Sequence, residues 1–185
     1  MSASPPPVLT PSAPRPFTVA LDAGVTPDKW VRAWRERMPQ HLLEVTREPA
    51  PLAALLDGSA DLALVRAPTG ERLATDDRHA IALYEERAVV VVPEDHAATA
   101  YEELALADLA GETVVNDVAL VAAGVGIAIM PQAVARSLSR RDTAVRPLTD
   151  AATTTVHLVW LADSGGELVD AFVGIVRGRT ARSSR

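Results

Sequence analysis

The chain has 185 residues, enough for one medium domain or two small lobes and too few for a typical barrel of eight strand-helix units. Hydrophobic residues make up 48% and charged residues 23%, so most of the chain can bury a core. Only 4% is aromatic and the formal net charge is −6, which argues against a base-stacking surface and against a protein that neutralises many phosphates.

All but one of the 18 Lys and Arg residues are Arg, the exception being Lys29. No apolar run approaches the ~20 residues of a membrane-spanning helix. The absence of Cys removes disulfides, thiolate metal sites and a Cys nucleophile. Residues 1–16 lack the basic start and apolar stretch of a secretory signal, so a cytoplasmic location is expected. Pro5, Pro6, Pro7, Pro11, Pro14 and Pro16 predict an extended, solvated arm over 1–16. At the other end, Arg177, Arg179, Arg182 and Arg185 make residues 177–185 either a solvated tail or a basic interaction patch.

Between the ends, strand and helix patterns alternate. Residues 17–22 read as a buried strand. A helix follows, with Thr26 as N-cap, Pro27 in the first helical position and Asp28 in the positive first turn. Trp30, Trp34 and Met38 recur every four residues as an apolar stripe, suited to the core or to a dimer face. Residues 42–46 form the next strand, and Leu52, Leu55 and Leu56 mark one face of a short helix that Gly58 ends in the left-handed conformation. Residues 61–65 are a third strand, which completes a βαβαβ unit with a parallel sheet. Apolar runs at 81–84 and 88–92 extend or cross the sheet. A short helix or turn at 106–109, a strand at 113–115, a helix at 118–123 ended by Gly124, and a strand at 127–130 come next. Pro131 then opens a helix, 145–148 is extended, 153–161 is a strand rich in Thr and Val, and 168–176 is the last helix.

The residues hold no familiar catalytic motif. The signature G-x-S-x-G is absent around every candidate Ser. His41, His79, His96 and His157 are too dispersed for a metalloprotease pattern, and Asp76-Asp77-Arg78-His79 reads as a loop. Gly124-Val125-Gly126 precedes a strand, whereas a dinucleotide fingerprint follows one. No cofactor, metal or catalytic residue is expected. What remains is a cleft at the carboxyl ends of parallel strands. There the turn from Gly24 to Asp28, the Thr26 hydroxyl and Arg66 directly after the third strand could form an anion-accepting corner. The other reading of the same residues is a structural cap at Thr26 and a solvated loop arginine at Arg66.

An ordered set of segments carries a family resemblance. It comprises Leu55-Leu56-Asp57-Gly58-Ser59-Ala60-Asp61-Leu62-Ala63-Leu64-Val65-Arg66, then Val89 to Pro93 with Glu94-Asp95-His96, then Leu106-Ala107-Asp108-Leu109-Ala110-Gly111. It continues with Val121-Ala122-Ala123-Gly124-Val125-Gly126-Ile127-Ala128-Ile129-Met130-Pro131 and Val134-Ala135-Arg136. Together they resemble the effector-binding (substrate-binding) domain of LysR-type transcriptional regulators over about residues 17–176.

The resemblance implies an α/β, type 2 periplasmic-binding-protein-like fold: two lobes joined by crossovers, a small polar or anionic effector between them, and a homodimer. It places residues 17–93 plus 153–176 in the first lobe and 94–152 in the crossovers and a reduced second lobe. It turns Gly24, Thr26, Arg66 and Asn116 toward the cleft as ligand-binding residues. Two departures stand out. Only residues 1–16 precede the domain, leaving no room for a helix-turn-helix, so no direct nucleic-acid contact is expected. Family members also carry further helices and strands where this chain passes at once from Asn116 to Asp117, so the second lobe is either reduced or lacks a stretch. The expected function is a non-enzymatic effector-binding module of transcription regulation. The alternative is a protein-protein interaction or scaffold protein whose cleft has degenerated.

Overall fold

The computed structural model describes residues 15–178; residues 1–14 of the predicted arm over 1–16, and 179–185 of the predicted tail over 177–185, lie outside the described residues. Its first unit is β1 (Phe17–Leu21), α1 (Asp28–Arg37), β2 (Leu43–Arg47), α2 (Pro51–Leu56) and β3 (Leu62–Pro68). Both β2 and β3 pair with β1 in parallel, as the alternating pattern predicts. The continuous apolar run of β1 is buried at every position, as expected for a strand covered on both faces. Gly58 ends α2 at φ 79, the left-handed position that glycine fills without a Cβ clash. Leu55 lies in the core, but Leu56 is 55% exposed; α2 has only six residues, too short to carry the wider stripe.

The chain then forms β4 (Arg78–Glu86) and β5 (Ala88–Pro93), passes two 3-10 turns, and builds α3 (Val118–Ala122), β6 (Ala128–Pro131), α4 (Gln132–Ser137) and β7 (Thr143–Pro147). It returns through β8 (Thr154–Leu161) to α5 (Glu167–Val176). The first sheet has the order β2-β1-β3-β8-β4 and the second β6-β5-β7. The chain therefore changes sheets at Arg87, between β4 and β5, rather than after Pro93. The predicted strand at 113–115 is reduced to one parallel bridge, Val114 to Ile127, because a two-residue link to α3 leaves it no room to extend.

Core packing explains the two sheets. Along β3, Leu62 and Leu64 face the α1 and α5 side with Val156, Leu158, Trp30, Trp34 and Phe172. Ala63, Val65 and Ala67 face the α2 side with Leu55 and Val159. The tryptophan stripe is thus core: Trp34 is fully buried and Trp30 is 5% exposed. The second lobe has its own two-sided core, with Val90, Val92, Leu104 and Ile127 on one face of β5 and Val89, Val91, Val118 and Val121 on the other. Among the described residues no helix is long and apolar enough to cross a membrane.

Candidate functional site

The turn after β1 is built from its own backbone. Asp22 accepts the Ala23 N–H through Oδ1 at 2.8 Å and the Arg66 N–H through Oδ2 at 3.1 Å, which holds the ends of β1 and β3 together. Gly24 follows at φ 77. A Cβ there would lie 2.7 Å from the carbonyl carbon of Ala133 and 2.7 Å from the backbone nitrogen of Val134, so the first-lobe turn touches the α4 backbone of the second lobe. Gly24→Ala is therefore expected to cost about 2–3 kcal/mol, from left-handed strain and overpacking together. A urea melt with the wild-type midpoint would contradict that close approach.

Thr26 does not cap the helix. Residue Pro27 occupies the cap position with no side-chain cap bond, because its carbonyl is the first acceptor, taking the N–H groups of Trp30 at 2.8 Å and Val31 at 3.0 Å. The Thr26 side chain is left exposed. It borders a cavity of about 320 Å³ together with Asp28, Lys29, Trp30 and Tyr84.

Arg66 is neither a solvated loop residue nor a free cation. Its side chain is 8% exposed, and Nε donates to Glu86 Oε2 at 2.7 Å, whose side chain is 7% exposed. Nη1 donates to the Ala23 carbonyl at 2.8 Å and lies 3.7 Å from Asp22 Oδ1. The remaining nitrogen, Nη2, is buried without a partner. Register explains the meeting: Arg66 pairs with Val156 and Val156 with Tyr84, so β3, β8 and β4 place Arg66 and Tyr84 in one cross-sheet row. Glu86, two residues beyond Tyr84, points to the same face.

Glu86 is the last residue of β4, directly before the change of sheets, so the Arg66 guanidinium joins the turn at 22–24 to the first crossover. The return crossover is held close by. Thr153 Oγ1 donates to Glu85 Oε1 at 2.6 Å and lies 2.9 Å from Thr69 Oγ1, which is 3.0 Å from Thr155 Oγ1.

Burial pushes the Tyr84 phenol above its ordinary value; the negative charge of Glu86 adds to the rise and Arg66 opposes it. A raised folded-state value means that the fold prefers the neutral phenol. The stability this contributes is present below pH ~10, the value in the unfolded chain, and is lost as pH rises through the folded value. Tyr84→Phe should accordingly remove a phenolate absorbance step above pH ~10. A lost step at or below that pH would show that the ring is not buried against Glu86.

Asn116 lies on the second lobe, exposed, next to Asp117, whose Oδ1 caps α3 by accepting the Ala119 N–H at 2.8 Å. No hydrogen bond joins it to Arg66 or to the Gly24 turn among the described residues. Gly24 and Arg66 thus meet through Asp22 and Ala23, Thr26 borders the adjoining cavity, and Asn116 is hydrogen-bonded to none of them. Sequence reasoning missed Asp22, Tyr84 and Glu86. The last two are on alternate positions of an apolar run, a signal obscured by the register shift between Ala82 and Tyr84.

Solved structures share this fold. The effector binding domain of a BenM variant is similar at a TM-score of 0.72 and 17% identity, covering 88% of this chain and 94% of that one. A mutant OxyR regulatory domain from Pseudomonas aeruginosa matches at 0.68 and 18%, covering 91% and 100%. Full-length CbnR complexed with its target DNA matches at 0.68 and 16%, covering 88% and 70%. These likenesses establish the type 2 periplasmic-binding-like fold. No match is found among the curated proteins. The family model for the LysR substrate binding domain matches residues 25–117 and 118–181. With most of its length matched by that model, the chain belongs to the LysR substrate binding domain family, whose fold is that of regulatory effector-binding domains.

Proposed function

We propose that the domain is a non-enzymatic, cytoplasmic sensor that holds a small polar organic molecule between its lobes, against Gly24, Thr26, Arg66 within β3 and Asn116 before α3. The observation that carries this reading is the double attachment of one turn. Residues 22–24 touch the second lobe at Ala133 and Val134 and are tied through Arg66 to Glu86 at the crossover. A molecule lodged against that turn must shift α4 or strain the Arg66 bonds, and either change bears on the angle between lobes. Differential contact with two lobe arrangements is what lets a ligand bias a conformational equilibrium.

The chemistry of the corner favours a polar, neutral or zwitterionic effector over a strong anion. A ligand carboxylate would meet two protein carboxylates, Asp22 and Glu86, around one guanidinium, and would have to displace one of them. Hydroxyl and amide groups can instead use Thr26 and the exposed Asn116 amide.

A thermal-shift panel of polyols, amides, amino acids and small carboxylates tests this. One-site binding at a hundredfold excess over Kd adds ~2.7 kcal/mol of stability. The expected result is a shift with a neutral or zwitterionic compound that Thr26→Val weakens. No shift with any compound, beside a tight protein partner, would favour the interaction-protein reading instead. A shift with carboxylates alone would overturn the assigned ligand chemistry.

A further inference from the structure

The two sheets follow one plan, and the second lacks a strand that the first has. In the first sheet β1 has parallel neighbours β2 and β3; next to β3 comes antiparallel β8, which arrives from the other lobe, and β4 closes the edge. In the second, Val114 bridges Ile127 in parallel at the entry to β6; antiparallel β5 arrives from the other lobe, and β7 closes the edge. Thr113 to Val115 therefore stands where β1 stands, β6 for β3, β5 for β8 and β7 for β4. The helices leading into these strands also correspond: α2 is followed by Gly58 at φ 79 and α3 by Gly124 at φ 72. Nothing in the second lobe stands for α1 and β2. A parallel pair needs a crossover of about a dozen residues, and only Asn116 and Asp117 separate Val115 from α3. The family match breaks at the same point, between Asp117 and Val118.

The vacant strand position is chemically open. The Val115 N–H donates to the Ile127 carbonyl at 2.7 Å and the Ile127 N–H to the Thr113 carbonyl at 2.8 Å, so the inner side of this segment is occupied. In that parallel pattern the N–H and C=O of Val114 point outward, where a counterpart of β2 would lie. Among the described residues neither has a hydrogen-bond partner. Val114 itself is 62% exposed. Gly126 presses on Thr113 from the β6 side, since a Cβ there would lie within 3.2 Å of three Thr113 atoms, so the inner side is filled. The surrounding sequence is acidic. Residues 94–152 carry nine Asp and Glu against four Arg, of which Arg140 lies near Asp117.

We propose that the outer edge at Thr113 to Asn116 is a docking site for one extended, basic segment of a protein partner, which adds as a strand in the position that β2 fills in the first lobe. Main-chain bonds to Val114 supply the pairing, an apolar side chain covers Val114, and Arg or Lys on alternate positions meets the acidic lobe. An unpaired edge of this kind is otherwise an aggregation hazard.

The test uses the whole chain and a short fluorescent peptide of alternating Arg and Val, with an alternating Glu and Val peptide as control, read by anisotropy. The basic peptide should bind at least about tenfold more tightly than the acidic one, and hydrogen exchange should show new protection at the Val114 amide. Val114→Pro removes an N–H that no internal bond uses. It should weaken binding by about tenfold or more with the melting temperature unchanged. Should that variant fold poorly, Val114→Arg leaves the backbone intact and opposes the peptide's charge, with the same loss expected. Equal binding of both peptides, no binding of either, or undiminished binding to both variants overturns the proposal. So does a dimer in sedimentation that Val114→Arg dissociates, since the occupant is then a second copy.

Discussion

Arg66→Ala is expected to destabilise the domain by about 3–5 kcal/mol, the range for removing one partner of a buried ion pair. The large effect comes from what is left behind. Glu86, with its side chain 7% exposed, would keep a buried carboxylate facing no cation, and Ala23 would lose the donor on its carbonyl. Arg66→Met with Glu86→Leu should recover most of the loss, because exchanging both partners for apolar side chains of similar size is often neutral or stabilising. Chemical denaturation of the two variants measures the loss and its recovery. If Arg66→Ala costs under about 1 kcal/mol, as exposed pairs do, the guanidinium is not the tie between the turn and the crossover.

The second large effect is expected at Trp34, where replacement by alanine should cost about 3–5 kcal/mol. The indole is fully buried. Its ring stacks on Phe17 at 5.0 Å between centroids with 5° between planes and lies 5.9 Å from Phe172. Its Nε1–H donates to the His41 carbonyl at 2.9 Å. One side chain therefore joins β1, α1, α5 and the loop before β2. Trp34→Phe keeps much of the packing and loses the donor, so its cost should fall near ~1–3 kcal/mol, the penalty for one unpaired buried group. Equal losses for both variants would mean that the hydrogen bond, and not the packing, dominates.

The first lobe was legible because local rules and global packing agree there. The apolar run of 17–21, the Pro27 entry to α1, the four-residue tryptophan spacing and Gly58 after α2 all act within a few residues of where they are read. The Thr26 cap failed on a local competitor, since the Pro27 carbonyl already receives the first helical bonds. The change of sheets at Arg87 was not legible, because apolar runs at β4 and β5 look alike whichever sheet receives them. The role of Arg66 was hidden for a further reason. Its partner Glu86 is brought near by β8, a strand far along the chain that enters between β3 and β4, and by a register shift at Ala82 and Tyr84. Position alone marked Gly24, Thr26 and Arg66 as one corner. It could not reveal that the positive charge there is already matched, nor that Asn116 sits on the other lobe with no bond to that corner.

Hydrogen exchange with and without the compound that shifts the melting temperature most reads directly whether a bound effector acts on the hinge. Added protection is expected at residues 22–26 and, in the same experiment, at 84–88 on the crossover, because Arg66 joins the two segments. Protection confined to the second lobe, or to the turn with no change at the crossover, would contradict an effector whose binding bears on the hinge.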